Sequence, residues 1–191
     1  MKKNRYKIIF TGPVGSGKTT AITSISDKPP ISTNEAASDM TAIRKAETTV
    51  AMDYGILHLD NGDILHLYGT PGQQRFDFMW EILAEGGLGL VLLIDNRRDN
   101  PFGDLAFYLK AFHKLIDETG VVIGVTGMDI KATPTLADYQ AEFAKIMANS
   151  QARSAPTAVP IFEVDARKKR DISVMLEALL YSISTAEGNP A

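Results

Sequence analysis

The sequence predicts an α/β domain built on a mainly parallel sheet, and three observations support it. Short β-branched runs alternate with segments of helical period. One such run ends in the glycine-rich stretch GPVGSGKT. A single hairpin signal interrupts the alternation.

YKIIFTG reads as a buried first strand. A helix should follow from about Gly17 to Ser26, stopped by the prolines of KPP. From Asp27 to Thr48 no strand is evident, and a connection of that length in a compact domain is expected to be functional or disordered. VAMDYGILHLDNGDILHLYG reads as the hairpin, with Asn61-Gly62 as a type I′ turn. That turn would put Leu57 and Leu59 on one face and Leu65 and Leu67 on the other, as in a sheet covered on both sides. GLVLLID and VVIGVTG are apolar runs of the buried parallel kind. Between them Leu105, Tyr108, Leu109, Phe112, Leu115 and Ile116 recur at helical spacing. PIFEVDA is the last strand. Asp171 should then cap a helix with the stripe Ile172, Met175, Leu176, Leu179, Leu180 and Ile183. The expected organisation is one domain over 1–184 and a frayed tail over 185–191.

At 191 residues, 45% apolar and 23% charged, the chain has the composition of an ordinary globular domain with a sizeable core. A net charge of -3 offers no electrostatic case for nucleic acid or anionic membrane as a partner. Cysteine is absent, which excludes disulfides, thiolate metal sites, prenylation and palmitoylation. Lys2 stands where myristoylation needs glycine, the apolar run of the N-terminus is too short for a signal peptide, and no segment is long enough to span a bilayer. The expectation is a cytoplasmic protein without a lipid anchor.

Gly12, Pro13, Val14, Gly15, Ser16, Gly17, Lys18 and Thr19 complete the pattern G-x-x-x-x-G-K-[ST], between a predicted strand and a predicted helix. Glycines let successive backbone N–H groups turn inward around a phosphate at the positive end of a helix. Lys18 would reach the β- and γ-phosphates, the Thr19 hydroxyl would ligate Mg2+, and Thr20 would continue the cradle. The base should be read after a later strand, where VTGMD offers Thr126 and Asp129. A carboxylate accepts from guanine N1–H and N2–H2 together, whereas adenine presents an acceptor at that edge. GTP or GDP is therefore the expected ligand.

GPVGSGKTT, ETTVAMDYG, TPGQ, TGMD and DAR together resemble Ras-like small GTPases. The closest likeness is to the bacterial branch associated with roadblock-domain regulators, which includes the gliding-motility polarity GTPase. The resemblance implies a P-loop NTPase fold with a six-stranded, mainly parallel sheet, one antiparallel edge strand and helices on both faces. It further implies that Asp165, Ala166 and Arg167 form the second base loop, the Ala166 N–H meeting guanine O6. Thr49, favoured over Thr48, would bind Mg2+ and the γ-phosphate. Gly72 would belong to the nucleotide site, and Gln73 would orient the attacking water, so that Gln73, Lys18 and Thr49 make up the catalytic set. A roadblock-domain GAP or scaffold and an unidentified effector are the implied protein partners.

Several departures bear on rate. Gly69 stands where such GTPases keep the aspartate that touches Mg2+ through water, a loss expected to cost roughly 10–100-fold in affinity or activity. Val14 would crowd an arginine supplied by a partner, and Arg44 and Arg75 are the weak candidates for one in cis. Phe76, Phe78, Met79 and Trp80 either pack the segment after Gln73 onto the core or form a partner surface. The expected function is a slow, Mg2+-dependent GTPase switch. Two rivals stand beside it. LLID, ending at Asp95, is also the magnesium-side signature of P-loop ATPases, and a guanine-nucleotide-binding scaffold would bind without turnover.

Overall fold

In the computed structural model residues 3–29, 31–32, 52–72, 77–148 and 159–187 are described. The strands are β1 (Arg5–Thr11), β2 (Ile31–Ser32), β3 (Asp53–His58), β4 (Ile64–Gly69), β5 (Gly89–Asp95), β6 (Val121–Thr126) and β7 (Ile161–Glu163). They form one sheet in the order β2-β3-β4-β1-β5-β6-β7. From β4 to β7 every pairing is parallel, while β3 runs antiparallel to β4 and carries the short β2 at the edge. The expected α/β class and mainly parallel sheet with an antiparallel edge are therefore present, β2 being a two-residue addition.

The helices are α1 (Lys18–Ile25), α2 (Asp77–Ala84), α3 (Pro101–Ala111), α4 (His113–Glu118), α5 (Leu136–Ala148) and α6 (Lys169–Glu187). Ile8 and Phe10 of β1 face a core shared with α1 and α6, through Ala21, Ile22, Ile25, Met175 and Leu179. Ile9, between them in sequence, faces the opposite core with Trp80, Leu105, Tyr108 and Phe143. A strand whose successive side chains are all buried needs a helical layer on each face, which is why these strands read as unbroken apolar runs. Among the described residues no helix is long and apolar enough to cross a membrane.

Four local expectations are corrected. The hairpin turn has one left-handed residue, Gly62 at φ 88°, and a loop closed by Leu59 N–H to Asp63 O and Gly62 N–H to Leu59 O. The strands consequently pair His58 with Ile64 and Leu57 with Leu65. Leu57, Leu59, Leu65 and Leu67 thus all pack against the same core. Asp171 lies inside the first turn of α6 rather than before it, and its carboxylate accepts from the Asp165 N–H at 2.9 Å. Helix α6 continues to Glu187, past the expected fraying point at Thr185. Helix α5 had no counterpart in the sequence reading; of its residues Tyr139 and Phe143 are buried.

Gly55 sets how closely α1 approaches the edge strand. A Cβ there would lie 2.0 Å from Ser26 Oγ and 2.8 Å from Ile22 Cγ2. Gly55→Ala is expected to destabilise the protein by about 1–3 kcal/mol through overpacking, measurable as a lower midpoint in denaturant unfolding with an unchanged slope.

Candidate functional site

The loop after β1 is built from backbone conformations that favour glycine. Gly12, Gly15 and Gly17 have φ of 138°, 83° and 99°, and Gly17 is the N-cap of α1. A Cβ on Gly12 would meet Leu93 O at 2.0 Å, so the loop is also pressed against β5. Ser16 is fully buried and its Oγ has no hydrogen-bond partner among the described residues. Val14 projects outward, 57% exposed.

Lys18 folds back over this loop, donating from Nζ to Gly12 O and Pro13 O at 2.8 Å each. Burial lowers its pKa to about 8, against the opposing pull of Asp53. Two carbonyl dipoles hold the ammonium in place, and its buried charge is matched to an anion entering the loop. The segment after β4 closes on the same point. A Cβ on Gly72 would lie 2.7 Å from Val14 N and 2.8 Å from Lys18 Nζ. Trp80 Nε1 donates to Pro71 O at 3.0 Å and Tyr108 Oη to Gly72 O at 3.1 Å, fixing that segment from the core side. Trp80 is therefore a core residue, stacked on Phe112 and tilted against Tyr108.

Asp53, which the sequence reading did not single out, supplies a carboxylate beside the predicted metal ligand. Thr19 Oγ1 donates to Asp53 Oδ2 at 2.5 Å. Asp53 pairs with Gly69 across the β3–β4 ladder, and a Cβ on Gly69 would meet Asp53 Cβ at 3.1 Å and Oδ2 at 3.2 Å. The carboxylate expected from position 69 is thus delivered from the neighbouring strand, into space that Gly69 leaves open. With its only proton committed to Asp53, the Thr19 hydroxyl keeps its lone pairs for a cation. Hydroxyl and carboxylate oxygens are the hard donors that Mg2+ takes, so Thr19 and Asp53 fit it. One signal could have found Asp53: it is the acidic residue at the start of the strand predicted to pair with the one ending at Gly69.

At the other end of the loop, Gly15, Ser16, Gly17, Thr20, Thr126, Asp129, Asp165, Ala166 and Arg167 line one cavity of about 290 Å3. Three separate strand ends meet there. Their roles differ in detail. Thr126 Oγ1 donates to Ser16 O at 3.2 Å and Ile94 O at 3.3 Å, so it braces the phosphate loop. Ala166 packs against Gly17, where a Cβ would come within 2.9 Å. Asp165 holds Arg167 in a two-bonded fork, Nε to Oδ1 and Nη2 to Oδ2, both 2.8 Å. That fork keeps the Asp165 pKa down at about 2. Asp129 is exposed in the cavity wall.

Asp95, the metal carboxylate of the rival ATPase reading, is occupied otherwise. Arg97 takes both its oxygens, Nε to Oδ1 and Nη2 to Oδ2 at 2.8 Å, and the Arg97 N–H adds a third bond at 3.0 Å. Asn96 is fully buried; its Nδ2 donates to Lys131 O and Pro134 O, and Tyr139 Oη donates to its Oδ1. Thr49 and Gln73 lie outside the described residues, as do Arg44, Arg75 and Phe76.

Residues 28–186 match a family described as "Conserved hypothetical ATP binding protein"; the match begins after the phosphate loop. The chain is also 35% identical over 98 residues to the uncharacterized protein MJ1339 of Methanocaldococcus jannaschii. That stretch is 50% of this chain and 54% of the relative, so the chain spans about half the length of the curated relative it matches. These findings correct the resemblance to Ras-like GTPases and to their roadblock-associated branch. The most specific of the motifs that carried it, GPVGSGKTT, is a phosphate cradle at a strand–helix junction, which P-loop proteins of many kinds share.

Two outcomes follow from this geometry. Affinity for a Mg2+–nucleoside triphosphate should hold steady up to about pH 8 and then fall about tenfold per pH unit, as free Lys18 loses its proton; titration calorimetry across pH 7–9.5 measures it. Asp53→Asn should weaken Mg2+ dependence about 10–100-fold. Gly69→Asp alone should destabilise the fold by setting two carboxylates together, and the exchange Asp53→Gly with Gly69→Asp should recover Mg2+ dependence.

Proposed function

Given that the chain belongs to the family described as "Conserved hypothetical ATP binding protein", we propose that it is a Mg2+-dependent purine nucleoside triphosphatase with a preference for GTP. One observation carries the reading: the glycine-rich loop meets Lys18 and the Thr19–Asp53 pair at one end and lines, through Gly15, Ser16 and Gly17, the cavity that contains Asp129 at the other. Loop N–H groups and the Lys18 ammonium hold the phosphate oxygens. Thr19 and Asp53 would hold Mg2+, which would supply charge against that developing on the leaving diphosphate. Water attacks the γ-phosphorus, the bond to the β–γ bridging oxygen breaks, and Gln73 is the proposed orienting group.

Guanine is supported by Asp129, whose carboxylate lines the cavity without a hydrogen bond or ion pair among the described residues. The Ala166 N–H is likewise free among them, a donor suited to a base carbonyl. Adenine is supported by the family's description. A Cβ on Gly72 would crowd Val14 N and Lys18 Nζ, a closeness that supports a γ-phosphate-sensing role for this glycine, and nucleotide-dependent signalling to a regulatory protein is part of the proposal. The roadblock identity of that partner falls with the resemblance it came from.

Titration of nucleotide-free protein with GTP and ATP, with and without Mg2+, tests the reading. A GTP preference of at least about tenfold that Asp129→Ala abolishes is the expected result. ATP preference would assign the base to adenine, and nucleotide binding with no phosphate release under any condition would reduce the protein to a binding module.

A further inference from the structure

The segments after β5 and β7 carry the same motif, Asp-x-Arg, at Asp95–Arg97 and Asp165–Arg167. Both fold into the same fork, with a backbone N–H at 3.0 Å and guanidinium bonds at 2.8 Å to the two carboxylate oxygens. Both arginines line the cavity that holds Asp129. The charge of Asp129 reaches each of them, which places all three groups close together.

Arg97 differs in what it covers. A Cβ on Gly127 would meet Arg97 Nε at 2.9 Å and its Cδ and Cγ at 3.0 Å. Gly127, at φ 73°, has a backbone that favours glycine, and the Cγ–Cδ–Nε stretch of Arg97 fills the place where a side chain would stand. The side chain remains 47% exposed while its Asp95 partner is 9% exposed. A half-exposed guanidinium locked by a buried carboxylate presents a pre-set plane, with little rotamer freedom left to lose on stacking.

We propose that Arg97 is the base-stacking residue of the nucleotide pocket, its plane lying against the purine ring read by Asp129, and that Asp95 is the positioning residue that sets this plane. The inference rests on the nucleotide reading above and adds to it the residue that grips the base. It also gives Asp95 a role other than holding a metal ion. The fork uses the donors of Nε and one Nη, leaving the guanidinium face for a π-system.

The test compares GTP and ATP with inorganic tripolyphosphate, each with Mg2+, by titration calorimetry. Tripolyphosphate engages the loop, Lys18 and the metal but has no base. Arg97→Ala should weaken nucleotide binding about tenfold and leave tripolyphosphate binding within about twofold. Asp95→Asn should move nucleotide affinity the same way by a smaller factor, with Mg2+ dependence intact. Arg97→Gln, which keeps a hydrogen bond to Asp95, serves if the alanine variant does not fold, and the same split is expected of it. Equal weakening of nucleotide and tripolyphosphate would overturn the proposal by showing that Arg97 acts as a charge alone. Unchanged nucleotide affinity would overturn it too. If wild-type protein binds tripolyphosphate as tightly as either nucleotide, the base pocket itself is wrong. Binding of neither would sink the nucleotide reading as a whole.

Discussion

The hydrogen bond from Thr19 to Asp53 joins the helix that ends the phosphate loop to the antiparallel edge of the sheet. Its existence depends on two missing side chains. Gly55 lets α1 lie directly on β3, and Gly69 leaves the neighbouring strand bare where the Asp53 carboxylate must pass. The β3–β4 register then sets Asp53 opposite Gly69. Were the register one residue different, Asp53 would point to the other face of the sheet. A local sequence pattern, a turn length and the packing of a helix thus converge on a single oxygen atom.

The parallel strands solve a different problem. Their carboxyl ends open toward one edge, where the chain must leave the sheet without stranding polar groups. Asn96 meets that need at the end of β5 by bonding three partners on the far side of the next loop. Thr126 does so at the end of β6 by bonding back to the phosphate loop. Thr11 and Thr70, hydroxyl to hydroxyl at 2.8 Å, tie the ends of β1 and β4. With these exits rigidly held, the Asp-x-Arg forks and Asp129 are carried on well-defined backbone rather than on free loops.

The same arrangement leaves Ser16 Oγ buried without a partner among the described residues and Lys18 bonded to carbonyls of its own loop. Both conditions cost stability in the free protein. Such costs concentrate where a ligand relieves them, here at the phosphate end of the site.

By itself the sequence determined the glycine-rich loop after β1, the order of the strands and helices other than β2 and α5, and the polar residues that follow β6 and β7. Each of these depends on local pattern: glycines at fixed spacing, unbroken apolar runs, and polar residues just after a strand. The tertiary structure decided what local pattern does not encode. A turn with one left-handed residue in place of two shifted the hairpin by one position and moved Leu57 and Leu59 onto the face of Leu65 and Leu67. Helix α5 was hard to read because, of its thirteen residues, Tyr139 and Phe143 are the buried ones, which leaves little apolar stripe. Asp53 begins one strand and Asp95 ends another, and sequence reading offered Asp95 as a metal-side carboxylate while passing over Asp53. The choice between them belongs to strand pairing, because only the register brings one carboxylate to the Thr19 hydroxyl while Arg97 holds the other.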